Sequence, residues 1–563
     1  MGLSATVPGR PRVRGASFTA ALSFAAGLSL AALSIPLLYL LLRAAGIGLP
    51  ELARIFADPR SLRVLMNSLA LAAGVAITCL FLAVPMAFLT TRTDLPSRRF
   101  FSVLGVLPLA VPSYVGSFAL IAAFAPRGSY LQLLLAPFGV RELPSVIGWP
   151  GAILGIALFT YPYLLLTLRS GLMGINPATE EAARSLGAGR RDTFLRIVFG
   201  QLRPSLVAGL LLVSLYALRD LGTPALMRVD SFTRVIYSQY TLSFDRNRAA
   251  GLALMLAMVV MVLLWLEYRT RSRAAYYSRR GGARPSAIIP LGIWRWPAVL
   301  FCSFVAFLAL ALPVGISVLW LVRGLNTGML RADHLSRAGA VSGNSLLVAS
   351  LTALVVTAFA LPVAVLAARA PGGLTAFVER FAYVAFGLPG IVVALSLVFA
   401  GSQFLPGLYQ TLPLLVFACF VLFFPQGLST ARSSLLQLNP QLEESALSLG
   451  RSPWQALREV TLPLVKPGLI AGALLVFLTT MKELPVMLML APIGYDTLAT
   501  RIWKATEDVY FAEAALHSLA MVLVCGFLIL VVIRRGGSSL SLQEDEPPGP
   551  VKESCLKPDC NAV

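Results

Sequence analysis

Residues 176–187 read Asn176-Pro177-Ala178-Thr179-Glu180-Glu181-Ala182-Ala183-Arg184-Ser185-Leu186-Gly187, and residues 439–450 read Asn439-Pro440-Gln441-Leu442-Glu443-Glu444-Ser445-Ala446-Leu447-Ser448-Leu449-Gly450. The two stretches lie 263 residues apart and share the Asn, the Pro, both Glu and the final Gly in place. Both are polar interruptions of an apolar chain. Asn is a good N-cap, and Pro suits the first helical position because its missing N–H would be unpaired there anyway. The Glu pair lies near the positive end of the helix dipole. The Gly permits the left-handed conformation that stops a helix. Phe194, Ile197 and Val198 follow the first copy on one helical face, as do Trp454, Leu457, Val460 and Leu462 after the second. Each stretch therefore reads as helix, glycine turn, helix, with apolar side chains to insert into a partner's groove. The competing reading is a pair of interfacial helices that merely tidy two loops; duplication at fixed residues argues against it.

Composition places these loops in a membrane protein. Hydrophobic residues make up 57% of the 563 and charged ones 13%, too little charge to cover a soluble surface of this size. Apolar runs of about 20 residues mark membrane helices. Twelve are expected, near 17–42, 64–90, 100–124, 145–168, 204–225, 249–267, 296–322, 341–368, 377–400, 409–430, 467–490 and 514–533. An even number of spans puts both termini on one side. The loops of that side carry 29 of the 46 Lys and Arg, against 15 on the other, so both termini are expected in the cytoplasm. The net charge of +20 thus reflects membrane orientation, and no nucleic-acid recognition motif accompanies it. The run from Ser17 to Leu42 is too long for the core of a signal peptide and reads as an uncleaved first span.

The duplication extends past the loops. At the same offset of 263, Pro162 matches Pro425, Arg169 matches Arg432, Pro204 matches Pro467 and Gly209 matches Gly472. Upstream the offset is 277: Asn67-Ser68-Leu69 matches Asn344-Ser345-Leu346, Pro85 matches Pro362, Arg92 matches Arg369 and Pro112 matches Pro389. The difference places about fourteen extra residues in the first half, around Arg127–Trp149. The expected architecture is an all-α integral membrane protein with two parallel six-helix repeats. Its parts are an N-terminus (1–16), a first repeat (17–268), a basic connector (269–295), a second repeat (296–534) and a polar tail (535–563) read as disordered. The Pro at 85, 112, 162, 362, 389 and 425 are candidate kinks.

Four ionisable residues fall in or at the outer ends of spans. Arg219-Asp220 stands at the fifth, and Lys482-Glu483 at the matching place in the eleventh. Such groups are costly in a membrane and face a partner or a wet cavity. Neighbours on a helix do not face each other, so crossed pairs are expected, Arg219 with Glu483 and Lys482 with Asp220. They read either as the lining of a pathway or its gate, or as a structural ion cluster. No catalytic or metal site is expected. His334 and His517 are far apart, Cys79, Cys302, Cys419 and Cys525 sit singly in spans, and Cys555 and Cys560 in the tail are weak evidence of a metal site. No Gly-x-x-x-x-Gly-Lys-[Ser/Thr] phosphate loop is present, so any ATP hydrolysis must come from another subunit.

With these residues in place the chain resembles the permease subunits of binding-protein-dependent ABC importers. Their pattern is Glu-Ala-Ala, three residues, Gly, nine residues, then Ile-x-Leu-Pro. The first copy has Glu181-Ala182-Ala183, Gly187 and Ile197, but Phe199-Gly200 in place of Leu-Pro. The second has Glu444-Ser445-Ala446, Gly450, Val460 and Leu462-Pro463. The resemblance implies a type I importer fold with coupling loops formed by Glu180, Glu181, Ala182, Ala183 and Gly187, and by Glu443, Glu444, Ala446 and Gly450. It implies two copies of an ATP-binding subunit carrying ATP and Mg on the cytoplasmic face, a periplasmic substrate-binding protein, membrane lipid around the chain, and no cofactor on the chain itself. The departure at Phe199-Gly200 leaves the equivalence of the two docking sites open. Met481-Lys482-Glu483-Leu484-Pro485, followed by Tyr495–Trp503, is similar to fused ferric iron permeases of the bacterial inner membrane. A thiamine importer is the second choice, with polyamine or phosphonate carriers of the same type behind it. A gradient-driven secondary transporter would also have twelve spans, but would not need two matched docking loops.

Overall fold

The computed structural model describes residues 16–189, 192–274, 288–370 and 372–535. The expected N-terminus, the middle of the basic connector and the tail with Cys555 and Cys560 lie outside the described residues. Among the described residues every regular element is a helix, apart from one isolated bridge between Thr93 and Ile289.

Among the described residues ten helices are long and apolar enough to cross a membrane unaided. In the first half they are Ser17–Ile47, Pro59–Arg92, Trp149–Met173, Thr193–Arg219 and Arg246–Leu266. In the second they are Gly292–Asn326, Ala332–Arg369, Leu412–Gln437, Pro453–Met481 and Phe511–Val532. The remaining two expected spans are broken. Arg98–Ala110 and Ser113–Phe124 meet at 98°, and Gly373–Ala385 and Gly390–Phe404 meet at 104°. Counting each bent pair once gives twelve, in the order and repeat expected.

Proline explains both breaks. Pro112 and Pro389 are the N-caps of the second half-helices, in extended conformation, where the missing N–H costs nothing. The other four candidate kinks lie inside continuous helices: Pro85, Pro162, Pro362 and Pro425. The fifth and eleventh spans stop sooner than expected. The helix Phe199–Arg219 ends where Asp220 turns extended, and Leu462–Met481 ends at Lys482. The residues beyond form separate short helices, Gly222–Leu226 and Pro485–Leu490. Hydropathy alone runs these spans together because the short helices beyond are themselves apolar and outweigh the charged links at Asp220 and at Lys482-Glu483.

The halves interlock. The first helix, Ala16–Ile47, packs on the second half at Ala332–Arg369, Gly373–Gly387 and Gly390–Phe404. There the Tyr39 hydroxyl donates to Gln403 Oε1 at 3.1 Å and the ring of Phe18 meets that of Trp454 edge-on at 4.8 Å. In return, Leu312–Asn326 of the second half packs on Ser113–Phe124 of the first. Within each half the fourth and fifth spans approach closely at a matched glycine. A Cβ on Gly209 would collide with Thr167 and Leu164, and one on Gly472 with Thr430. Small residues are what allow such approach where lipid supplies no hydrophobic drive between helices. The extra segment of the first half forms the helix Tyr130–Leu135, capped by Ser129, and Tyr130 meets Trp320 of the second half.

Candidate coupling loops and a charged cavity at the seam

Both repeated loops fold as their residues dictate. Asn176 caps the helix Pro177–Ser185 by accepting from the Ala178 N–H at 3.0 Å, and Asn439 caps Pro440–Ser448 by accepting from Gln441 at 3.1 Å. Gly187 and Gly450 end these helices with φ of 87° and 83°. The apolar stretches that follow contain π-helical turns at matched places, Thr193–Val198 and Leu457–Thr461. Such turns insert one residue into the helix and shift the face presented beyond it. The substitution of Leu-Pro by Phe199-Gly200 leaves the local fold alike, since both stretches run straight into a span.

The glutamate pair divides its labour. Glu181 and Glu444 are exposed, as are Ala182 and Ser445, and Ala183 is half-buried. Ala446 is buried. Glu180 and Glu443 instead turn inward onto arginines. Arg92 Nη1 lies 2.9 Å from Glu180 Oε1, and Arg369 Nε lies 2.8 Å from Glu443 Oε2. Both arginines are buried, at 5% and 7% exposure, and each is the last residue of its helix. The offset of 277 between Arg92 and Arg369 was readable in the sequence; their partnership with the loops was not, because it joins segments 88 and 74 residues apart. Leu186 and Leu449, also matched, are 88% and 84% exposed beside the glycines. Exposed leucine at the tip of a polar loop is an unspent apolar contact.

The loops differ in what braces them. Thr461 donates to Glu443 Oε1 at 2.8 Å, while the matching residue, Val198, has no hydroxyl. On the first side the incoming connector lies along the backbone next to Arg92: Ile289 N–H donates to the Arg92 carbonyl at 2.8 Å, and Leu291 N–H to Asp94 Oδ1 at 2.8 Å.

The four charged residues come together from both halves around one cavity of about 140 Å³. Its walls include Pro112, Ser113 and Tyr114 at the first break, Tyr163 and Tyr216 (stacked, 4.2 Å), and Gly390, Gln426 and Thr479 of the second half. Asp220 Oδ1 accepts from the Gly222 N–H at 3.1 Å, and its other oxygen is buried without a partner. Glu483 Oε1 is likewise buried and unpartnered, set against Gly390 so closely that a Cβ there would collide with it. Each carboxylate thus stands at the N-terminus of a half-helix, Asp220 beside Ser113 and Glu483 beside Gly390, where the dipole favours negative charge.

The expected crossed pairing holds only in part. Arg219 acts electrostatically on the Glu483 carboxylate across the seam. Lys482 does not pair with Asp220; its ammonium donates to the Leu109 carbonyl at 2.6 Å. The reason is the break in the third span, which leaves carbonyls at the end of Leu107–Ala110 without helical partners and in need of a donor.

The repeated Asn-Ser pair also finds its place. Asn67 donates to the Asp230 carbonyl at 3.2 Å, and Ser68 accepts from the Phe232 N–H at 2.9 Å. Asn344 and Ser345 do the same for Asp496 and Leu498, at 3.0 and 2.7 Å. These contacts hold the first turns of two further matched helices, Phe232–Thr241 and Leu498–Glu507. The capped helices also fix which residues correspond. The N-caps are Ser231 and Thr497, so Arg234 corresponds to Thr500. Arg234 and Arg501 nonetheless reach equivalent aspartates, Asp230 at 2.6 Å and Asp496 at 3.6 Å, and Arg501 binds Glu513 as well at 2.7 Å.

Residues 80–269 and 360–535, which hold both loops and the whole cavity lining, match the family described as binding-protein-dependent transport system inner membrane component. The chain belongs to this family. The permease is 31% identical over 502 residues to an Fe(3+)-transport system permease of Haemophilus influenzae, covering 89% of this chain and 95% of that one. It is 24% identical to a ferric transport system permease of Actinobacillus pleuropneumoniae, over 85% of this chain and 72% of the relative. A molybdenum transport system permease of Escherichia coli is 28% identical over 230 residues, 39% of this chain and 99% of its own. The single-length relative thus aligns with roughly one half of the permease. The two matched regions leave out the first helix of each half, the pair that crosses over.

Proposed function

We propose that this permease imports ferric iron, delivered by a periplasmic binding protein and driven by ATP hydrolysis on partner subunits. The observation that carries the cargo is the near full-length similarity to relatives named for Fe(3+) transport. In this reading the two loops lie on the cytoplasmic face of the inner membrane, as do both termini, in keeping with the distribution of Lys and Arg. Each loop docks one copy of an ATP-binding subunit, through Glu181 and Leu186 on one side and Glu444 and Leu449 on the other. The chain itself binds no nucleotide; ATP and Mg reside on the partners.

The seam cavity is the translocation pathway, and Arg219, Asp220, Lys482 and Glu483 line its gate. All four come from helix ends rather than helix interiors, where a rocking of the two halves changes their surroundings most. The two unpartnered carboxylate oxygens offer hard oxygen donors to a passing cation.

The test is uptake of radiolabelled ferric iron by cells lacking their own importer, expressing the permease with its neighbouring ATPase and binding protein. ATP-dependent uptake that unlabelled thiamine and spermidine do not reduce supports the assignment. Entry of labelled thiamine without iron keeps the importer and overturns the cargo.

A further inference from the structure

We propose that the second helix of each half is a strut that carries displacement between the ATPase-docking loop and the gate, with Arg92, Ser68, Arg369 and Ser345 as its positioning residues. The proposal rests on the loops being the docking sites, and extends that reading to how docking is felt at the cavity. Glu180 and Glu443 face inward onto buried arginines, so a partner can push them only by moving the loop as a whole. The arginine that receives the push is the terminal residue of one continuous helix, Pro59–Arg92 in the first half and Ala332–Arg369 in the second.

The far part of the same helix is tied as firmly to the other end of the molecule. From Ser68 to Arg92 a helix extends about 36 Å, enough to cross the apolar layer. At that distance Asn67 and Ser68 hold the backbone of Asp230 and Phe232, and Asn344 and Ser345 hold Asp496 and Leu498. In the first half the connection reaches the gate directly. Thr233, one residue into the held helix, donates to the Asp220 carbonyl at 2.6 Å. One rigid element therefore has a charge-assisted clamp at the loop and a hydrogen-bonded clamp at the gate. The two halves repeat the arginine clamp and the Asn-Ser clamp with the same residue types, whereas the further bond to the gate belongs to the first half, since Ala499 stands where Thr233 does. A buried ion pair suits the loop end, since breaking it leaves an uncompensated charge and the clamp holds under load.

The braces make the two struts unequal at the loop end. The connector backbone lies along Arg92, whereas Glu443 takes an additional bond from Thr461. The first strut is thereby tied to the link between the halves, and the second to its own loop.

The experiment uses the purified complex of the permease with its ATPase in lipid vesicles, and reads stimulation of ATP hydrolysis by the loaded binding protein. This readout does not depend on which cargo the permease carries. In Arg92→Gln with Arg369→Gln, the ATPase is expected to co-purify and hydrolyse ATP at the basal rate, while stimulation falls about tenfold, the size of a typical coupling term. In Ser68→Ala with Ser345→Ala, made at the opposite end of the helix from the docking loop, the same loss is expected. The swap Arg92→Glu with Glu180→Arg, combined with Arg369→Glu and Glu443→Arg, should recover stimulation relative to the arginine variants. Full stimulation in the serine variants overturns the strut. So does parallel loss of basal hydrolysis, stimulation and ATPase association in the arginine variants, which would make the clamp a matter of loop folding alone. Loss of ATPase association on removing Leu186 and Leu449 is the separate measure of whether the loops dock it at all.

Discussion

The Lys482 ammonium, in the second half of the chain, donates to the Leu109 carbonyl, in the first, at 2.6 Å. This bond ties the end of the eleventh span to the break in the third, at the seam between the two halves beside the cavity. A cation at a helix C-terminus is favoured by the dipole, and a free carbonyl at a break needs a donor. The bond is specific to this arrangement of the two halves.

Lys482→Met removes the donor and leaves a carbonyl unsatisfied at the seam, at a cost of about 1–3 kcal/mol. Uptake is expected to fall at least several-fold, and Lys482→Arg, which keeps charge and donors, is expected to retain more of it. Because Lys482 and Asp220 do not pair, exchanging them in Asp220→Lys with Lys482→Asp should not restore transport lost in the single variants. Recovery in the double variant would reinstate the crossed pair.

Leu186→Asp with Leu449→Asp places charge on the two most exposed apolar side chains of the loops. Truncating a central interface anchor commonly costs about 2 kcal/mol or more. Co-purification of the ATPase should fall more than tenfold, with the amount of permease in the membrane unchanged.

Gly450→Val forces a β-branched residue into a left-handed conformation, φ 83°. The penalty is about 1–2 kcal/mol and falls on the loop alone. Limited proteolysis should cut this loop faster than in the unmodified chain, while the thermal stability of the membrane bundle stays the same.

Gly472→Leu drives a side chain into Thr430, where the fourth and fifth spans of the second half touch. Overpacking of this kind costs about 1–3 kcal/mol. The detergent-solubilised permease should unfold at a lower temperature, and Thr430→Ala in the same chain should return part of the loss.

The parts of this molecule that sequence reveals are those encoded by neighbours. Asn176, Pro177 and Gly187 write their helix locally, and the loops fold as those residues require. Span number and repeat order follow from apolar length, again a local property. The breaks in the third and ninth spans were half legible. Pro112 and Pro389 mark them, but four other prolines in similar company leave their helices whole, because surrounding packing absorbs one missing hydrogen bond. The Arg92–Glu180 and Lys482–Leu109 contacts join residues 88 and 373 positions apart, and no periodicity carries information over that range. The duplication was the available signal: a residue type retained in both halves, at the end of a span, has a partner in each.

The exchange of first helices has a consequence for how the two halves stay matched. The first helix of each half packs against the other half as well as its own, so the interface between the halves is built from both. Writing the pair as one polypeptide fixes its stoichiometry at synthesis and removes any choice between like and unlike partners. Under that guarantee the copies are free to specialise. Val198 opposite Thr461, and Phe199-Gly200 opposite Leu462-Pro463, are differences that a homodimer encoded once has no means to hold.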